Sequence, residues 1–167
     1  MILTPTGGCR GITLIETIIA TAMTALFLGS LFIMNVSSMD TIRMARETAC
    51  ASQVLQQRIE SLRIANWHQA TDANWLKINL LNTDAPGTSE LSNVSEDLTI
   101  APYGSTAVGN TKLTRSAGSA RIVTNNTALL AENAVKIIWS ITYNGAPNNR
   151  SNSRQTVTIL AKGGVAK

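Results

Sequence analysis

The chain has 167 residues, a formal charge of +4, 44% hydrophobic residues and only 4% aromatic ones. That length normally makes one compact domain, and the modest net charge gives no global electrostatic signature of a nucleic-acid binder. One histidine, His68, and two cysteines, Cys9 and Cys50, leave no Cys/His ligand set for a metal.

The first eleven residues end in Cys9-Arg10-Gly11, after which an apolar run extends to Val36. Cys9 follows two glycines, yet no apolar stretch precedes it to act as a lipoprotein signal. Between Ile12 and Val36 the only formal charge is Glu16. A helix over this stretch is on the order of 35 Å long, enough to cross a bilayer core. Ala20-Thr21-Ala22 has the spacing of a signal peptidase site, but the run before it is short and acidic, and cleavage there leaves an apolar N-terminus. Arg10 before the run favours a cytoplasmic stub, with the bulk of the chain outside. A disulfide between Cys9 and Cys50 would have to join segments on opposite sides of the membrane, so none is expected. Gly29-Ser30 marks either a soft point in the helix or a place of close packing against a neighbouring helix.

Glu16 is the unusual residue. An ionised carboxylate in a bilayer costs several kcal/mol or more unless it is paired. Arg10 lies six residues back, away from the one-turn position that suits a helical pair. A cut just before Ile12 would create an α-amino group four residues from Glu16, available to it or to the Glu16 of an adjacent copy.

Gly11-Ile12-Thr13-Leu14-Ile15-Glu16, behind a short leader with Arg10 and ahead of an apolar helix, resembles the class III signal of type IV pilins and type II secretion pseudopilins. The resemblance implies that a membrane prepilin peptidase cuts after Gly11 and methylates the new N-terminal Ile12. It also implies that Glu16 registers an incoming subunit against the terminal amine of its neighbour. Ile12 replaces the family's usual Phe but keeps its large apolar character. The implied partners are the prepilin peptidase, other pilin or pseudopilin subunits and an inner-membrane assembly platform. No cofactor is implied.

Beyond the membrane run, Val36, Met39, Ile42, Ala45, Ala49, Ser52, Leu55, Ile59 and Leu62 recur at steps of three or four, the period of an amphipathic helix. This predicts a helix to about Ala65, with that stripe facing the core and Cys50 as a small hydrophobe. Arg43 with Glu47, and Gln56 with Glu60, fall one turn apart on the polar side. From Trp67 the composition shifts to Asn, Thr, Ser, Ala and Gly, which predicts that strands begin. Leu98–Ile100 and Ala120–Thr124 are candidates, while Leu129–Asn133 is unresolved. The clearest pair is residues 134–143 and 155–161, a hairpin joined by NGAPNNRSNSR,. Val135, Ile137, Trp139 and Ile141 form its apolar face, and Val157 and Ile159 are expected to continue that face on the returning strand.

The expected fold is therefore α+β: a long N-terminal helix, transmembrane and then amphipathic, packed against a C-terminal antiparallel sheet. The divisions are a leader at 1–11, a transmembrane and assembly helix at 12–36, its amphipathic continuation at 37–66 and a globular head at 67–167. This order is similar to the pilin architecture, and the pattern after the membrane run is most similar to V-type minor pilins and I-type minor pseudopilins. The mature chain keeps one cysteine, so it lacks the C-terminal disulfide loop common in major pilins of the type IVa class. His68 and Cys50 stand without the neighbours that acid–base or nucleophilic catalysis needs, and no Gly-rich phosphate loop occurs. An enzyme is not indicated. From Lys112 onward eight Lys and Arg face one acid, Glu132. The alternative function is a polyanion- or DNA-binding adhesive pilin with contacts at Arg150 and Arg154.

Overall fold

The computed structural model describes residues 13–104 and 109–163. Its first helix, α1, runs Leu14–Ile64 and contributes to two compact units, Met1–Thr41 and Ile42–Lys167.

In the first unit α1 is long and apolar enough to cross a membrane. Its side chains are exposed from Leu14 to Met39, including Leu14, Ile15, Leu26, Phe27, Phe32 and Ile33. Most hydroxyl residues are accommodated because they donate to a carbonyl of the preceding turn. Thr17 donates to the Leu14 carbonyl at 2.7 Å, Thr24 to Ala20 at 2.7 Å, Ser30 to Phe27 at 2.8 Å and Ser38 to Met34 at 2.9 Å. This local bonding leaves little polar demand on an apolar solvent.

The second unit is a helix-on-sheet layer. Two short helices follow α1, α2 at Trp67–Thr71 and α3 at Ala73–Leu76, then a π-helical turn at Lys77–Leu81. Five strands come next: β1 Ser92–Pro102, β2 Thr111–Ser116, β3 Ser119–Thr124, β4 Ala134–Gly145 and β5 Arg150–Ala161. They form one antiparallel sheet in the order β3-β2-β1-β4-β5. Alternation puts Val135, Ile137, Trp139, Ile141 and Tyr143 of β4 on the buried face, beside Leu98 and Ile100 of β1 and Leu113 of β2,. Ala51, Val54, Leu55 and Leu62 of α1 join the same core. The fold is α+β, and a long apolar N-terminal helix whose later turns pack on an antiparallel sheet is a pilin-like architecture.

Several local expectations change. The buried stripe of α1 is Ala51, Val54, Leu55, Arg58, Ile59 and Leu62. Ala45, Ala49 and Ser52 are exposed, as are Val36, Met39 and Ile42, because the helix meets the sheet only along its later turns. Residues after Trp67 make helical turns instead of strands. Asn66 and Gln69 form a reciprocal cap at the start of α2,, the Asp72 side chain accepts from the Asn74 N–H at 2.9 Å, and Leu76, Leu80 and Leu81 are drawn into the core. Leu129 is buried in a 3₁₀ turn at Thr127–Ala131.

The returning strand also faces the other way from the expectation. Val157 pairs with Ile138 and Ile159 with Lys136, so both lie on the outer face, each 51% exposed. Leu160, opposite Val135, faces the core instead. A one-residue difference in register exchanges the two faces. It arises because β4 and β5 pair without a bulge as far as Gly145 and Arg150, around a turn in which Asn148 and Asn149 adopt positive φ of 67° and 56°, a conformation Asn tolerates.

Candidate functional site

Gly11 and Ile12, the expected cleavage pair, lie outside the described residues. Glu16 lies within them, exposed in the first turn of α1. Its N–H donates to the Thr13 carbonyl at 3.0 Å, and the Thr17 N–H reaches the same oxygen at 3.2 Å. A carboxylate in the first turn interacts favourably with the positive end of the helix dipole, an effect of about 0.3–1 kcal/mol at an exposed site, well short of the cost of burying that charge in lipid. The ion pairs among the described residues use Glu60, Asp84 and Glu96, and none includes Glu16. Between Ile12 and Asp40 no other charged residue occurs in the sequence. Gly29 has no described atom within 4 Å of where a Cβ would sit, so none of the described residues packs closely there.

Sequence reasoning missed the polar centre of the head. Glu96 on β1 is fully buried and receives three side chains. Arg58 of α1 donates from Nε to Oε2 at 3.0 Å and from Nη2 to Oε1 at 2.9 Å. Arg115 of β2 donates from Nη1 to Oε1 at 2.7 Å, and the Trp139 indole N–H reaches Oε2 at 3.2 Å. The Arg58 guanidinium also lies 5.8 Å from the centre of the Trp139 ring,. It donates further to the carbonyls of Leu80 and Thr83, and Arg115 bonds Asp84. One carboxylate thus ties α1, the segment before β1, and β1, β2 and β4 together. Burial pulls the Arg115 guanidinium downward, but its hydrogen bonds to Asp84 and Glu96 outweigh that and raise it. The signal for Arg58 was its position: it lies one turn before Leu62 and after Leu55, on the face the helix buries.

Glu47 does not serve a salt bridge with Arg43. Its carboxylate accepts the Ala146 N–H, at 3.0 Å to Oε2, and so joins α1 to the β4–β5 turn. A Cβ on Gly145 would meet the side-chain ends of Glu47 and Asn152, which would have to swing aside. Glu47→Ala is expected to cost about 1 kcal/mol and to speed amide exchange at Ala146, read by hydrogen-exchange mass spectrometry. Glu60 pairs with Arg63 at 2.9 Å, both well exposed, and contributes little.

Arg150 and Arg154 occupy exposed positions of β5, four residues apart, on the same face as their register partners Gly145 and Ile141. Lys136 lies on the other face, opposite Ile159, and Lys112 and Arg121 register with Thr99 and Thr114 there. The basic half of the chain is divided between two faces and forms no single stripe. His68 borders a cavity of about 330 Å³ with Thr71, Asp72, Asn74, Asn125 and Leu130. Among the described residues no group of three or more His, Cys, Asp or Glu is placed to hold a metal. Cys50 is a half-buried free thiol packed against the core.

No family model, no curated protein and no solved structure matches the chain.

Proposed function

We propose that this chain is a minor pilin or pseudopilin subunit, cleaved between Gly11 and Ile12 by a prepilin peptidase and N-methylated on Ile12. It is then incorporated through α1 into a type IV pilus or type II secretion pseudopilus. The observation that carries the reading is Glu16: a charge without a described partner in the first stretch of α1, which up to Met39 is exposed and carries no other charge. Such a group needs a cation supplied by assembly. The Ile12 amine of a neighbouring subunit meets that need, and methylation leaves it cationic. The subunit is held as a single-pass inner-membrane protein with its head outside the cytoplasm until it is drawn into the filament, where it helps prime assembly or cap the tip.

Isolation of sheared filaments from cells with and without the peptidase tests this directly. The chain should appear in the filament fraction only when the peptidase is present, and deleting it should reduce filament number. Its absence from filaments in both strains, with normal filament number after deletion, would overturn the reading.

A further inference from the structure

Among the described residues the outermost strand β5, twelve residues long, has a free edge, and alternate N–H and C=O groups along it point away from β4 with no described strand to receive them. The charges on the strand and just beyond it are cationic, Arg150, Arg154 and Lys162, with no acid after Glu132, and the one acid beside its start, Glu47 of α1, is already taken by the Ala146 N–H. Arg150 and Arg154 share one face, while Val157 and Ile159 lie half exposed on the other. Between β5 and α1 a shallow cavity of about 240 Å³ is bordered by Ser52, Leu55, Gln56, Arg154 and Thr156.

We infer that β5 is a docking edge for an extended, acid-bearing strand of another protein, which adds to the sheet as a sixth strand. Register dictates the pattern it must carry. An antiparallel strand placed opposite residues 159 to 150 needs apolar residues facing Ile159 and Val157, then acids facing Arg154 and Arg150. Its sequence reads apolar, any, apolar, any, any, acid, any, any, any, acid. Directly opposed cross-strand pairs supply the specificity and the ladder supplies the affinity. The ten acids of this chain are Glu16, Asp40, Glu47, Glu60, Asp72, Asp84, Glu90, Glu96, Asp97 and Glu132. No two of them are four apart, so no segment of a second copy fits. Pairing of β5 with β5 would also bring like charges together, the device by which edge strands avoid self-association. The inference does not rest on the filament reading, because it uses only the head.

The test uses the full chain in nanodiscs of zwitterionic lipid. The probe is the acetylated peptide Val-Thr-Val-Thr-Ser-Glu-Thr-Ser-Thr-Glu, with a control in which the two Val and two Glu exchange places. The first peptide should bind, read by fluorescence anisotropy, and should slow amide exchange along residues 150–161, whereas the control should bind about tenfold more weakly or not at all. Arg150→Glu with Arg154→Glu, at exposed positions that leave the melting temperature unchanged, should lose this peptide and gain one bearing Lys in place of Glu. Equal binding of both peptides, protection elsewhere than β5, self-association through β5, or competition by a single-stranded DNA oligonucleotide at equal affinity would each overturn the inference.

Discussion

Glu96→Ala is expected to destabilise the head by about 3–5 kcal/mol, the usual cost of removing one partner from a buried ion pair. Total stability for a domain is only about 5–15 kcal/mol, so the melting temperature should fall by on the order of 10 °C. The reason lies in what remains. Arg58 and Arg115 are each 4% exposed, and without Glu96 two guanidinium groups share a buried site with no carboxylate between them. The Trp139 N–H loses its acceptor as well. Glu96→Gln keeps the shape and one acceptor oxygen, and should fall between the wild type and the alanine variant. Replacing Arg58, Glu96 and Arg115 together by Met, Leu and Met should recover much of the loss, because apolar groups of similar volume need no partners. The raised value of Arg115 puts its contribution to stability at every pH below the ordinary arginine range, to be lost only as pH rises above that range. The network should therefore show no alkaline transition between pH 7 and about pH 10 arising from this group. Thermal unfolding by circular dichroism reads all of these variants, and a loss below about 1 kcal/mol for Glu96→Ala would show that the network does not hold the layers together.

Glu16→Gln is expected to separate membrane insertion from assembly. A neutral amide is less costly in lipid than a carboxylate, so insertion should be unchanged or improved. Incorporation into filaments should drop by about tenfold or more, since the neighbour's terminal amine is then left in the packed core without its counter-charge. Glu16→Asp keeps the charge on a shorter arm and should retain part of the activity. If Glu16 only reaches toward the membrane interface as an isolated acid, Gln should assemble as well as the native residue. Quantifying the subunit in membranes and in sheared filaments decides between these outcomes.

The sequence made the helix, the hairpin and their division of labour legible because each rests on a periodicity. Steps of three and four ran uninterrupted to Leu62, and strict alternation marked β4. Strand β2 was missed because Thr111–Ser116 offers one buried aliphatic, Leu113, and places Arg115 at a buried position. The helical turns after Trp67 were missed because their signal was a cap, Asn66 with Gln69, in a stretch whose overall composition suggested loops and strands. Val157 and Ile159 were assigned to the core because apolar β-branched residues normally mark the buried face. The pairing with Ile138 and Lys136 fixed their face, and that information lives in the turn. The Arg58, Glu96 and Arg115 centre was invisible for a deeper reason: charged residues at core positions break the rule by which cores are found, and only long-range register brings the three together.

The sequence shows an acid in an apolar run, and the structure shows the surrounding hydroxyls bonded to their own helix. On the proposed reading, what remains is a demand for one cation.

The most direct measurement is the intact mass and N-terminal sequence of the protein recovered from membranes, with and without the prepilin peptidase. The expected result is a chain beginning at methylated Ile12 when the peptidase is present and at Met1 when it is absent. A Met1 start under both conditions, or a cut after Ala22, would contradict the account.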